Sequence, residues 1–190
     1  MIYFSLFLLE ATLSIGIGGI ESTDSLDVEI YHRVIEDFIL EEYNWQSERI
    51  EIPILVFLDS ALYLDLSQDN TSRFEYLRDK YTKLKYSTFS DFLLKNRSPL
   101  KVERIEEIYD RAIIIDGSSI PLRDSLFNQY PNWNGWIIEL SNVGFNVEGN
   151  QALVYFGFEG GLGVGGGVWL IYHKKFKKWK LKRIIPAWGG

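Results

Sequence analysis

The chain contains no cysteine in 190 residues. That absence removes disulfides, thiolate metal sites and a cysteine nucleophile together. It leaves the compartment open, because a chain able to build a sufficient core needs no covalent staple. Histidine is almost as scarce, with only His32 and His173. A zinc site would rest mainly on carboxylates, whereas catalytic zinc usually takes more nitrogen than two histidines offer. No acidic residue follows Glu159: all 26 lie between Glu10 and Glu159. Seven of the 20 Lys and Arg fall between Lys174 and Arg183, leaving 13 positive against 26 negative charges elsewhere. The body is therefore acidic and one short stretch is basic. No repeat and no low-complexity segment occurs outside a single glycine cluster.

What is present is globular. Hydrophobic residues make up 46% of the chain and aromatic residues 15%, values that support a packed core. The length suits one domain, which would bury roughly 70% of the surface its unfolded chain exposes. The expected division is an apolar segment over 1–22 and a single α+β domain over 23–190. Residues 2–20 are apolar with one charge, Glu10. A secretory signal would have this run and small residues such as Ser14 and Gly16, but a basic leader is missing. A membrane span needs about 20 clean apolar residues, and Glu10 with three glycines makes a poor one. A buried structural element is the third reading, and the three stay open.

Asp24 to Tyr43 reads as an amphipathic helix. Tyr31, Val34, Ile35, Phe38 and Ile39 share one face, and Glu36, Asp37 and Glu41 take the other. Asp24 or Ser25 would cap it. Ile50–Leu58 reads as a strand, with Pro53 marking its start or a sheet edge. Short helices are expected from Asn70 or Thr71 to Tyr81, from Ser87 or Thr88 to Lys95, and from Ser119-Pro121 to Tyr130. Ala112–Ile115 reads as a buried strand. From Trp136 the period changes to two. Strands Trp136–Phe145, Gln151–Phe158, Val168–His173 and Trp179–Ile185, with short connections, must pair antiparallel. Glu148-Gly149-Asn150 supplies a turn, and Lys174 to Lys178 the last hairpin tip. The fold class expected is α+β: N-terminal helices packed on a strongly curved antiparallel sheet, of the cystatin-like or nuclear-transport-factor-two-like cone type.

Seven of the eleven residues from Gly157 to Gly167 are glycine, and Gly161, Gly163 and Gly166 spell G-x-G-x-x-G. A dinucleotide loop needs a helix after it, so that the helix N-terminus faces the phosphates. The segment that follows, Val168 onward, alternates like a strand. A conformational role, in bending the sheet, is the expectation. The basic stretch His173 to Arg183 mixes cations with Phe176 and Trp179. It fits phosphate contacts and stacking, an anionic lipid or acidic partner, or a solvated hairpin with Trp179, Leu181 and Ile185 on one side and Lys180 and Lys182 on the other.

The remaining candidates are weaker. Asp65, Ser67 and Asp69 have calcium-loop spacing, but Asn70 replaces the turn glycine and Tyr76 the closing glutamate. Glu106, Glu107 and Asp110 are adjacent acids of the kind used in acid–base work, and are equally consistent with a solvated surface. Leu58 and Leu62 flank Asp59-Ser60 where a nucleophile elbow needs glycines. A serine triad would have to recruit His32 or His173 from afar. No catalytic residue, cofactor-binding residue or metal ligand is assigned, and no cofactor is expected.

The C-terminal third carries Tyr130-Pro131, then Ser141-Asn142-Val143-Gly144-Phe145-Asn146, Ala152-Leu153-Val154-Tyr155, Gly160 to Gly167, Lys178-Trp179-Lys180 and Trp188. In this order it resembles a family of small uncharacterised bacterial proteins, often read as exported, over about 60 of the 190 residues. The family's glycine segment often holds two cysteines. Here those places are Gly160 and Val164 or their neighbours, so no disulfide or redox role carries over. The resemblance implies an exported or envelope location and no known reaction. It casts Gly144 and Asn146 as turn or bulge residues, and Phe145, Trp179 and Trp188 as core. The functional expectation is a non-enzymatic binding or interaction domain with an unidentified partner, a protein among the candidates. Nucleic acid is disfavoured, and so is a membrane except through residues 2–20. The alternatives are a small pocket enzyme and an inhibitor or immunity-type protein, whose acidic body would suit a basic target.

Overall fold

The computed structural model describes residues 23–40, 54–58, 70–97, 112–115, 123–131, 133–160 and 164–189. Its elements, in chain order, are α1 (Thr23–Val34), which continues as π-helical turns over Ile35–Leu40, then β1 (Ile54–Leu58), α2 (Asn70–Lys80), α3 (Tyr86–Lys95), β2 (Ala112–Ile115) and α4 (Arg123–Gln129). β3 (Trp133–Leu140), β4 (Gly144–Phe145), β5 (Gln151–Glu159), β6 (Gly165–Lys175) and β7 (Lys178–Gly189) complete it. The fold is α+β, as expected. The last five strands are antiparallel, and all seven form one sheet in the order β2-β1-β3-β5-β6-β7, with β4 beside β5. β1 runs parallel to both β2 and β3. The expected Pro53 signal fits a strand that begins at Ile54, although β1 lies inside the sheet and not at its edge.

Alternation along β5 explains the layers. Successive side chains of a strand point to opposite faces. Ala152, Val154 and Phe156 join Ile30, Tyr31, Val34 and Ile35 of α1, together with Leu170, Tyr172 and Trp179, in one buried cluster. Leu153 and Tyr155 face the other way and join Trp169, Ile171 and Ile185 under Leu77 of α2 and Phe89 and Phe92 of α3. Leu126 of α4 packs on Ile137 with Ile113, Ile115 and Tyr130. The sheet thus carries helices on both faces. The apolar face expected for α1 is confirmed at Tyr31, Val34 and Ile35, which are buried, while Glu36 is exposed.

The Ser141–Asn146 run is where the single expected strand Trp136–Phe145 divides. It splits because β5 is shared by two segments. β3 pairs with Phe156 to Glu159, and β4 with Ala152 and Leu153. Between them Ser141 holds the ladder: its amide donates to the Tyr155 carbonyl at 3.1 Å, and its hydroxyl accepts from the Tyr155 amide at 2.8 Å. Asn142 turns outward and interlocks with the end of α3. Its amide donates to Asn96 Oδ1 at 2.8 Å, and its Nδ2 to the Lys95 carbonyl at 3.1 Å. Gly144 then lies so close to α3 that a methyl group there would overlap the backbone of Phe92, a glycine required by approach. The Phe145 amide donates to Asp91 Oδ2 at 2.8 Å. Asn146 Oδ1 accepts from the amides of Asn150 and Gln151 at 2.9 and 2.7 Å, closing the turn in which Gly149 has φ +61.

The start of α3 differs from expectation. Lys85 occupies the N-cap without a side-chain cap. Thr88, one of the two expected helix starts, lies inside α3 and donates its hydroxyl to Gln151 Oε1 at 2.7 Å. A buried amide left unpaired would be the costlier choice.

The glycine segment is extended where it is described. Gly165, Gly166 and Gly167 pair with Glu159, Phe158 and Gly157 in register. Gly161 and Gly163 lie outside the described residues. Gly167 leaves room for two rings: a Cβ there would overlap Tyr155 Oη and meet Trp188 Nε1 at 2.5 Å. Opposite it, β7 carries one extra residue between Pro186 and Trp188, and a second between Leu181 and Arg183. Each bulge flips the parity of the strand. Trp179 and Leu181 therefore join the cluster under α1, while Ile185 joins the opposite one. The expectation that Trp179, Leu181 and Ile185 point one way fails for that reason. Trp188, expected in the core, is 54% exposed on this edge strand, where its Nε1 donates to Tyr155 Oη at 2.5 Å.

Candidate functional site

β6 and β7 are joined by two residues, Phe176 and Lys177, between the paired Lys175 and Lys178. Such short connections take a turn with both central residues at positive φ. Phe176 has φ 50 and Lys177 φ 62. Neither is glycine, asparagine or aspartate, the residues that adopt this conformation with little strain. Phe176 stands 88% exposed at the apex. The hairpin extends further than the expected strands, so the tip narrows from Lys174–Lys178 to these two residues.

The tip leans on α1. A cleft of about 310 Å³ lies between them, lined by Val28, Glu29, His32 and Arg33 from the helix and by Lys177, Lys178 and Trp179 from the hairpin. Trp179 is buried, and its Nε1 donates to Glu29 Oε2 at 2.9 Å. The ammonium of Lys174 reaches the same oxygen at 3.3 Å and lies 5.4 Å from the Trp179 ring centre. Glu29 thus fixes the hairpin to the helix. Arg33 pairs with Glu36 and Asp37 at 3.0 and 3.7 Å. His32 Nδ1 is 3.3 Å from Glu36. Among the described residues Lys177 and Lys178 make no ion pair. Lys175 lies 5.3 Å from the Phe176 ring centre. The mouth of the cleft is cationic, with an exposed aromatic ring beside it.

Two other clusters hold titratable groups. His173, the last residue of the expected strand, lies two positions inside the end of β6 and is half-buried. Gln151 Oε1 accepts from Lys85 N and the Thr88 hydroxyl, and its Nε2 donates to the Lys83 carbonyl at 2.9 Å. That orients the amide, so Nε2 also donates to His173 Nε2 at 2.7 Å. The imidazole proton therefore sits on Nδ1. Tyr81 Oη is 3.2 Å from the same nitrogen. Burial, and then Lys182, Lys83 and Lys85, hold the His173 pKa below its ordinary value. In the second cluster Glu139 pairs in register with Gly157, next to Tyr155. Burial, with Glu159 nearby, raises the Glu139 pKa, and burial raises that of Tyr155.

The sequence-level candidates Asp59, Ser60, Asp65, Ser67, Asp69, Glu106, Glu107 and Asp110 lie outside the described residues. His32 and His173 are on opposite faces of the sheet and do not converge. Among the described residues no group of three His, Asp or Glu is placed to hold a metal, and no helix is long and apolar enough to cross a membrane. Glu139 and Tyr155 were missed in the sequence. Only the pairing of β3 with β5 brings them together, and no spacing encodes it.

Fold and cleft together define an α+β protein with a cationic hairpin docked against a helix. In comparison with known proteins, the chain matches no family model, no curated protein and no solved structure.

Proposed function

We propose that this chain is a non-enzymatic binding domain that recognises an anionic ligand at the hairpin and the α1 cleft. The observation that carries the reading is the apex. An exposed phenylalanine and a lysine with no ion pair among the described residues occupy a backbone conformation costing about 1–2 kcal/mol per residue, where asparagine and glycine would remove the strain. Strain of this kind concentrates at functional sites. The lysines around it are the segregated positive charge of an otherwise acidic chain, and such segregation directs association. The resemblance of the C-terminal third to a bacterial family often read as exported favours an exported or envelope location, with residues 2–20 as a signal-like segment.

The test is crosslinking capture from the native organism with the full chain and with the Lys175→Glu/Lys177→Glu/Lys178→Glu variant, alongside fractionation. The expected result is a partner held by the first and lost by the second at equal folded content. Identical capture by both removes the reading. A second reading, a small pocket enzyme, is favoured by Glu139 beside Tyr155, both with raised pKa values, and requires activity that Glu139→Gln abolishes.

A further inference from the structure

Resting on the binding reading above, we infer that the ligand is an extended acidic segment of a partner protein. One of its carboxylates enters the cleft between Lys177, Lys178 and His32, and its apolar flank covers Phe176.

Three observations select this class. First, the site is concave, and its floor includes the buried Trp179. A bilayer surface is flat on this scale and would meet the lysines and Phe176 without filling the cleft. Second, the charges alternate in sign across the site. Lys177 and Lys178 line the cleft from the hairpin, while Glu29, at 51% side-chain exposure, lines it from α1. A uniformly anionic membrane or polyphosphate would be repelled by the helix as it approached the hairpin. A peptide can place its acids against the lysines and its backbone amides beside Glu29. Third, single-stranded nucleic acid is held by several stacking platforms in series. At the hairpin tip Phe176 is exposed, whereas the Trp179 ring is buried and its N–H is taken by Glu29. One ring beside a closed one does not make such a track. An exposed ring next to cations does suit a peptide, in which an aromatic anchor and a charge pair reinforce each other.

The inference is tested by binding of three labelled probes to the full chain: a glutamate-rich decapeptide carrying leucines, vesicles containing phosphatidylserine, and an oligothymidylate. Each is titrated at low and at physiological salt with the parent chain, Lys177→Glu/Lys178→Glu and Phe176→Ala. The peptide is expected to bind saturably, to weaken about tenfold with the charge reversal, and to weaken several-fold with Phe176→Ala. Peptide binding indifferent to both variants overturns the inference. Vesicles or oligothymidylate binding more tightly than the peptide, and lost on charge reversal, also overturns it while leaving the anion-binding reading intact. If no probe responds to either variant, both fall.

Discussion

His173 shows how single contacts set the chemistry of a residue. Its Nε2 accepts from Gln151, and the amide of Gln151 cannot reverse without losing the bonds from Lys85 N and Thr88. Protonation would put a second N–H against a donor, in the field of Lys182, Lys83 and Lys85. The folded-state pKa therefore lies below the unfolded value of about 6.5. Below that unfolded value the unfolded chain binds the extra proton first. Stability is thus fully present above it, falls as pH drops from there toward the folded pKa, and levels off below. Urea unfolding followed across this window should show that loss, and His173→Gln should flatten it. An unchanged slope in the variant would assign the pH dependence to other groups. The Ser141–Asn146 motif is structural at the same scale. Ser141, Asn142, Gly144 and Phe145 each have a role in the split of the strand, and Gly144 answers to the backbone of Phe92. The sequence shows these residue types but not the partners of Asn142 and Phe145, which lie on α3 and its C-cap about 50 positions earlier.

At the scale of an element, the β6–β7 hairpin sets stability against recognition. Two residues at φ 50 and 62 are held there by paired strands on either side and by Trp179 and Lys174 against Glu29. The Phe176→Asn/Lys177→Gly pair fits the same turn without strain. It should raise the unfolding free energy by about 1–2 kcal/mol, measured by denaturant titration, and should reduce binding of the acidic peptide. A gain in stability at the expense of binding is the pattern expected when selection has kept a strained site for function. No gain in stability would mean that Phe176 contributes to the fold itself. The hairpin was legible in the alternation from Val168 to Ile185 and in the run of lysines. The strain was not, because Phe-Lys is not a sequence signature of this turn. The two bulges of β7 were not legible either. Simple alternation carries Trp179 and Ile185 to one face, and only the pairing with β6 shows that Lys182 is the extra residue that separates them.

For the whole molecule, the antiparallel strands could be read from local sequence because short connections restrict how neighbours pair. The parallel placement of β1 between β2 and β3 could not, since long segments separate these strands and any of several orders would satisfy their apolar runs. The helices on both faces follow from β5, whose residues are buried without interruption from Gln151 to Gly157. A strand polar on one side could not have two helical covers. This architecture ranks the strands by how deeply they are held. β5 and β6 have partners on both sides and helices above and below. β7 is an edge strand with exposed Lys180, Lys182 and Arg183, two bulges and Pro186, features that guard an edge against pairing with other chains. One tie crosses to it from α2, the Tyr76 hydroxyl donating to the Pro186 carbonyl at 2.9 Å. Native-state hydrogen exchange should therefore find the slowest amides at Leu153–Phe156 and Leu170–Tyr172, opening only with global unfolding. The β7 amides beyond the bulge at Lys182 should exchange through a smaller, local opening. Tyr76→Phe should accelerate exchange around Pro186 and leave β5 unchanged. Equal acceleration in both strands would show that β7 opens with the core as one cooperative unit, so that a ligand held at the hairpin would stabilise the entire sheet.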